Sequence, residues 1–105
     1  MAKFLKDINL KGKVAIVTGA TKGIGRSTAM AMHQVGASII AIGRNINELA
    51  SLKKKLKIRI QCIECDLNDY EKISREINKI KRIDILVNNA GTNLPEPFLK
   101  VKKSS

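Results

Sequence analysis

The sequence predicts an α/β fold, a doubly wound parallel sheet built as βαβαβαβ, and three observations carry that expectation. Short apolar runs of strand length alternate with stretches whose apolar residues recur every three or four positions. The first run, Lys13 to Thr18, ends at a loop with glycines at 19, 23 and 25, after which a helical period begins. Two Asn-x-x-Glu spacings, Asn45 with Glu48 and Asn68 with Glu71, stand where later helices should start.

Each element follows from its residues. Lys13 to Thr18 has the β-branched content of a buried parallel strand, and Ile24, Thr28, Met32 and Val35 then mark one face of a helix that Gly36 ends. Ser38 to Gly43 is a second short apolar strand. Ile46, Leu49, Leu52 and Leu56 line the next helix behind the Asn45 cap. Ile58 to Glu64 is the third strand, and the third helix, capped at Asn68, buries Ile73, Ile77 and Ile80. Ile83 to Asn89 is the fourth strand. Such alternation implies right-handed crossovers and a sheet covered on both faces.

The loop at Gly19 to Gly25 suits a phosphate. Glycines allow a tight turn and close approach of a ligand, while the first amides of the following helix lack intrahelical acceptors and favour an anion. The spacing G-x-x-x-G-x-G differs from both the G-x-G-x-x-G fingerprint and the P-loop. In this spacing, Thr18-Gly-Ala-Thr-Lys-Gly-Ile-Gly25 resembles the coenzyme loop of the short-chain dehydrogenase/reductase family. Two further strand ends fit the same family: Asp66-Leu67 after the third strand, and Asn88-Asn-Ala-Gly91 after the fourth. The resemblance spans residues 8 to about 100 and is closest to the carbonyl-reductase branch, which includes L-xylulose reductases, and the 3-oxoacyl-acyl-carrier-protein-reductase branch.

The resemblance implies a Rossmann-like, nicotinamide-binding domain. Its cofactor contacts carry over to Gly19, Thr21, Lys22, Gly23, Ile24 and Gly25 in the loop, Arg44 and Asn45 after the second strand, Asp66 and Leu67 after the third, and Asn88, Ala90 and Gly91 after the fourth. Asp66 is expected to accept from the adenine amino group. NAD sites usually carry an acid about 20 residues past the glycine loop, to bond the ribose 2′-hydroxyl. Arg44 stands there instead, a residue able to fork onto a 2′-phosphate, and Lys22 supplies a second cation. NADP(H) is therefore expected over NAD(H); the alternative for either cation is a solvated surface position.

Composition bounds the function. The 105 residues are 44% hydrophobic, allow one domain, and include neither an apolar run long enough to span a bilayer nor a secretory leader, which gives a cytoplasmic expectation. The formal charge of +11 invites a nucleic-acid reading, yet the densest basic run, Lys53 to Arg59, falls at a helix end and has no aromatic neighbours to stack on bases. No nucleic acid and no membrane are therefore expected as partners. Cys62 and Cys65 form a C-x-x-C, but odd separation along a strand sends the two side chains to opposite faces, and no second pair completes a metal shell. Both cysteines are read as structural. His33, within the first helix, receives no role.

Members of this family move a hydride between the nicotinamide and a carbonyl or secondary alcohol, with a Tyr-x-x-x-Lys pair as acid/base. The single tyrosine, Tyr70, has Ser74 four residues on, so no catalytic residue and no metal ligand is assigned. The expected organisation is an N-terminal extension (1–12), a cofactor-binding core (13–91) and a tail (92–105) that departs from the family pattern in its last residues. On that view the fold is truncated after about four strands. The fourth strand becomes an apolar edge through which the chain could associate as a homo-oligomer, and NADPH binding is expected to be weak; the alternative function is a non-catalytic nucleotide-binding remnant or a partner of an intact relative.

Overall fold

The computed structural model describes residues 8–89. Four strands and three helices alternate: β1 (Val14–Thr18), α1 (Gly23–Gln34), β2 (Ser38–Gly43), α2 (Ile46–Leu56), β3 (Ile60–Glu64), α3 (Tyr70–Asn78) and β4 (Ile85–Asn88). All strand pairs are parallel and the order is β3-β2-β1-β4. The chain winds outward from β1 through β2 to β3, and α3 then carries it back across the sheet to β4 on the other side of β1. That reversal places the switch point between β1 and β4, where open sheets of this kind bind ligands beyond the strands' carboxyl ends.

Alternation within the strands divides the core in two. Ala15, Val17, Ile39 and Ala41 face α1 and α2, where they pack with Ala29, Leu49 and Leu52. Ile16, Ile40, Ile42 and Ile63 face the other way onto Ile73 and Ile77 of α3. The sheet is thus covered on both faces, as expected. Cys62 belongs to the first cluster and Cys65 to the second, so the C-x-x-C is split by the sheet. The small residues Ala15, Ala29 and Ala41 let α1 lie close to the strands.

Two apolar residues read as buried are exposed. Ile24 is 76% exposed, and the inner face of α1 is instead Gly25 and Ala29. Ile46, the first residue of α2, is 58% exposed, whereas Leu49 and Leu52 are buried. The third helix also starts one residue later than its spacing implied: Asp69 caps it by accepting from the Lys72 amide, and Asn68 does not.

The third strand begins at Ile60, two residues later than expected. After α2 the chain turns through Lys57 (φ 69°) and Arg59 (φ 53°), left-handed conformations rarely taken by residues other than glycine or asparagine. Arg59 Nη1 donates to the carbonyls of Ala37 (2.7 Å) and His33 (3.3 Å). The His33 ring is 2.7 Å from the Ile58 carbonyl. His33 is therefore a structural link that fastens this turn to α1. Just past that end of α1, Gly36 (φ 111°) turns the chain towards β2 where a Cβ would meet the Lys11 backbone nitrogen at 2.8 Å.

Asp84 fastens the opening of β4 to β1. One carboxylate oxygen accepts from the Val14 amide at 2.8 Å, the Asp84 amide donates to the Val14 carbonyl, and Arg82 pairs with the carboxylate. The Val14 hydrogen bond, helped by Arg82, holds the Asp84 carboxyl below its ordinary value. The stability this confers is complete above the ordinary carboxylate pKa of about 4 and is lost as pH falls through the lower folded value. We expect Asp84→Asn, compared with wild type by denaturant melts from pH 2 to 7, to flatten the acid limb below about pH 4.

No helix among the described residues is long and apolar enough to cross a membrane. Leu86, 41% exposed, lies on the α3 side of β4, which is the outer strand of the described sheet on that side.

Candidate functional site

A cleft of about 780 Å³ opens at the carboxyl edge of the sheet. Its floor is made where β1, β2 and β3 end. Gly19 follows β1, Gly43 closes β2, and Cys65 and Asp66 follow β3, with the Cys65 amide donating to the Gly43 carbonyl at 2.9 Å. The walls come from Thr21 and Lys22 on one side and Arg44, Asn45 and Glu48 on the other.

The glycine loop is shaped by two separate demands. Gly19 (φ 61°) and Gly23 (φ 60°) take left-handed backbone, which turns the chain from β1 into α1. Gly25 has a different reason to lack a side chain: a Cβ there would strike the carbonyl oxygen of Gly19 and lie 2.7 Å from the side-chain Nδ2 of Asn89. The first turn of α1 is thereby seated directly on the end of β1.

That first turn presents bare amides. Lys22 occupies the N-cap in an extended conformation without a side-chain hydrogen bond, and no acidic residue lies in the turn. The other two described helices differ. Asn45 Oδ1 accepts from Glu48 N at 3.0 Å at the start of α2, and Asp69 Oδ1 accepts from Lys72 N at 3.1 Å at the start of α3. The orphan donors of α1 are left for something outside the chain's own caps.

Thr18, fully buried at the end of β1, organises the switch point. Its hydroxyl accepts from the Asn89 amide at 3.0 Å and lies 3.1 Å from Asn88 Oδ1, to which it donates. One hydroxyl thus fixes both asparagines that follow β4. Sequence reasoning passed over Thr18 as the last strand residue; the signal was a polar residue closing an otherwise apolar run.

The charged residues of the cleft are not neutralised within it. Ion pairs among the described residues join Glu76 to Lys79 and Arg82 to Asp84, and neither Lys22 nor Arg44 takes part in one. Asp66 accepts from the Asn68 amide at 2.9 Å, which uses one oxygen of a carboxylate otherwise facing the cleft. The freedom expected for Asp66 thus has a different basis: Asp69 is the cap, and Asp66 closes a short turn before it. Burial pushes the Cys65 thiol up, and its Sγ donates to the Asp66 carbonyl at 3.3 Å, so it stays protonated at neutral pH and offers no nucleophile. No cluster of metal-ligating side chains occurs among the described residues.

The structure brings Gly19, Thr21, Lys22, Arg44, Asn45, Asp66 and Leu67 together around the cleft. Gly23 and Ile24 lie on the exposed start of α1 beside it, Gly25 lies beneath the loop, and Asn88 is held at the end of β4 by Thr18. Ala90 and Gly91 are outside the described residues. Sequence reasoning missed Ile42, Gly43, Glu48, Cys65, Asn68 and Asn89 as lining residues. Gly43 and Asn89 were legible from the strand-end rule, whereas Glu48 was read only as a partner in a capping box.

A family model described as short chain dehydrogenase matches residues 13–105. The chain belongs to that family. Family members are oxidoreductases that bind a nicotinamide cofactor and act on small molecules. The L-xylulose reductase of Mesocricetus auratus is 39% identical over 99 residues, covering 94% of this chain and 40% of that protein. The 3-oxoacyl-acyl-carrier-protein reductase of Rickettsia prowazekii is 40% identical over 95 residues, covering 90% of this chain and 39% of that protein. A metagenomic short-chain oxidoreductase solved in complex with NADP superposes with a TM-score of 0.73 at 31% identity, over 79% of this chain and 41% of that one. The chain therefore spans about 40% of the length of the curated relatives it matches. Both branches of the short-chain dehydrogenases that the sequence resembles are found among its relatives.

Proposed function

We propose that the carboxyl-edge cleft holds NADP(H), and that residues 13–91 form the cofactor-binding part of an oxidoreductase interconverting a carbonyl and a secondary alcohol. One observation carries the reading. An uncapped helix N-terminus and two cations without ion-pair partners among the described residues, Lys22 and Arg44, converge on one cleft. The chain's own residues suit the group: Gly23 leaves open space where a side chain would stand, and the cleft has the size typical of a nucleotide site.

On this reading, the amides at the start of α1 take the diphosphate and Gly19 lets it approach the backbone. Arg44 and Lys22 bond the 2′-phosphate, Asn45 and Leu67 border the adenosine, and the free oxygen of Asp66 accepts from the adenine amino group. Asn88, fixed by Thr18, and Ala90 and Gly91 after it border the nicotinamide ribose. The bound cofactor supplies or accepts the hydride. The relatives support the reading, since L-xylulose reductase and 3-oxoacyl-acyl-carrier-protein reductase are named for carbonyl reduction, and the metagenomic oxidoreductase was solved with NADP. The sequence contains no Tyr-x-x-x-Lys, so proton transfer is assigned to none of these 105 residues.

Titrating the full chain with NADPH and with NADH, followed by reduced-nicotinamide fluorescence, tests this. Saturable binding of both, tighter for NADPH, is expected. Equal affinities would overturn the NADP assignment, and failure of both to bind would overturn the dinucleotide reading.

A further inference from the structure

The cleft contains an acid that the phosphate-binding account does not use. Glu48, in the first turn of α2, lines the same wall as Arg44 and Asn45 and is only partly exposed. Its backbone amide is satisfied by Asn45 Oδ1, yet its carboxylate makes no hydrogen bond and no ion pair among the described residues. Arg44 stands four positions earlier, and the two are not paired. The wall thus offers one cation and one anion to whatever lies against it.

We propose that Glu48 is a specificity-determining residue that opposes Arg44 and narrows the preference between the two coenzymes; the inference rests on the cofactor reading above. A carboxylate has acceptors only. It accepts a hydrogen bond from the 2′-hydroxyl of NAD(H), which is a donor, and repels the 2′-phosphate of NADP(H), which offers none and carries like charge. Arg44 and Lys22 act in the opposite sense. The ranking of the two coenzymes is set by this balance and not by the cations alone. Because the wall is open to water, the Glu48 contribution is modest, of the size measured for solvent-screened charge pairs.

The competing explanation is that Glu48 merely stabilises α2, as a first-turn acid favoured by the helix dipole. The two differ in what a single substitution moves. In the full chain, Glu48→Gln keeps the side-chain length and hydrogen-bonding capacity while removing the charge. We expect it to tighten NADPH binding about two- to fivefold and to weaken NADH binding, with the NADPH gain shrinking as salt rises. Glu48→Lys should tighten NADPH further. A lowered melting temperature with an unchanged NADPH-to-NADH affinity ratio would assign Glu48 to the helix and overturn the proposal. Parallel changes for both coenzymes would overturn it equally. Failure of the wild-type chain to bind either coenzyme would overturn the cofactor reading itself, and this inference with it.

Discussion

Gly25→Val is expected to destabilise the chain by about 3 kcal/mol and to abolish NADPH binding. The added side chain has no room: its Cβ alone would strike the Gly19 carbonyl oxygen and stand 2.8 Å from the Gly19 carbonyl carbon. Both are backbone atoms at the end of β1, so relief requires α1 to lift from the sheet. Lifting α1 displaces its amides from the cleft and disturbs Asn89, whose side-chain Nδ2 stands 2.7 Å from the same point. Gly23 is the control. A Cβ there meets nothing within 4 Å, so Gly23→Ala costs only the strain of its positive φ, about 1 to 2 kcal/mol. Urea melts of the two variants should separate them, and equal losses would contradict the close seating of α1 on β1.

Arg44→Ala is expected to weaken NADPH binding about tenfold while leaving NADH binding within about twofold of wild type. Lys22→Ala should do the same to a smaller extent, because an ammonium meets a phosphate as a point charge and not as a fork. Each lost charge-assisted hydrogen bond is worth roughly 1.5 kcal/mol at the low end of its range, the proper end for groups open to water. Neither cation carries packing or an internal ion pair among the described residues, so melting temperatures should not move. Parallel loss of NADH affinity would mean that Arg44 contacts a part common to both coenzymes.

The fold was legible because each strand is a short apolar run, α1 follows a glycine loop, and α2 and α3 start at an Asn or Asp. Order and alternation of the elements followed from those features alone. Boundaries were less legible. Nothing at Lys57 or Arg59 marks a left-handed turn, since glycine and asparagine are absent there and the turn is held by Arg59 reaching back to His33 and Ala37. Periodicity also overstated burial at Ile24 and Ile46, which stand in the first turns of α1 and α2 and are exposed while Gly25, Ala29, Leu49 and Leu52 form the buried faces of those helices. At the cleft, Lys22, Arg44 and Asp66 could be named from their places just after glycines or strand ends. Thr18 was marked only as a polar residue closing an apolar run and Glu48 only as a capping-box partner, since their places depend on what meets them: Asn89 for the first, and an open wall for the second.

The proposed seat of the diphosphate is the start of α1, and amide NMR reads this directly. With the chain labelled with nitrogen-15 and titrated with NADPH, the largest shifts are expected at the amides of Gly19 and of Lys22 to Gly25, with a second set at Arg44 and Asp66. Saturating shifts confined to the basic turn at Lys53 to Arg59, leaving the glycine loop unmoved, would contradict it.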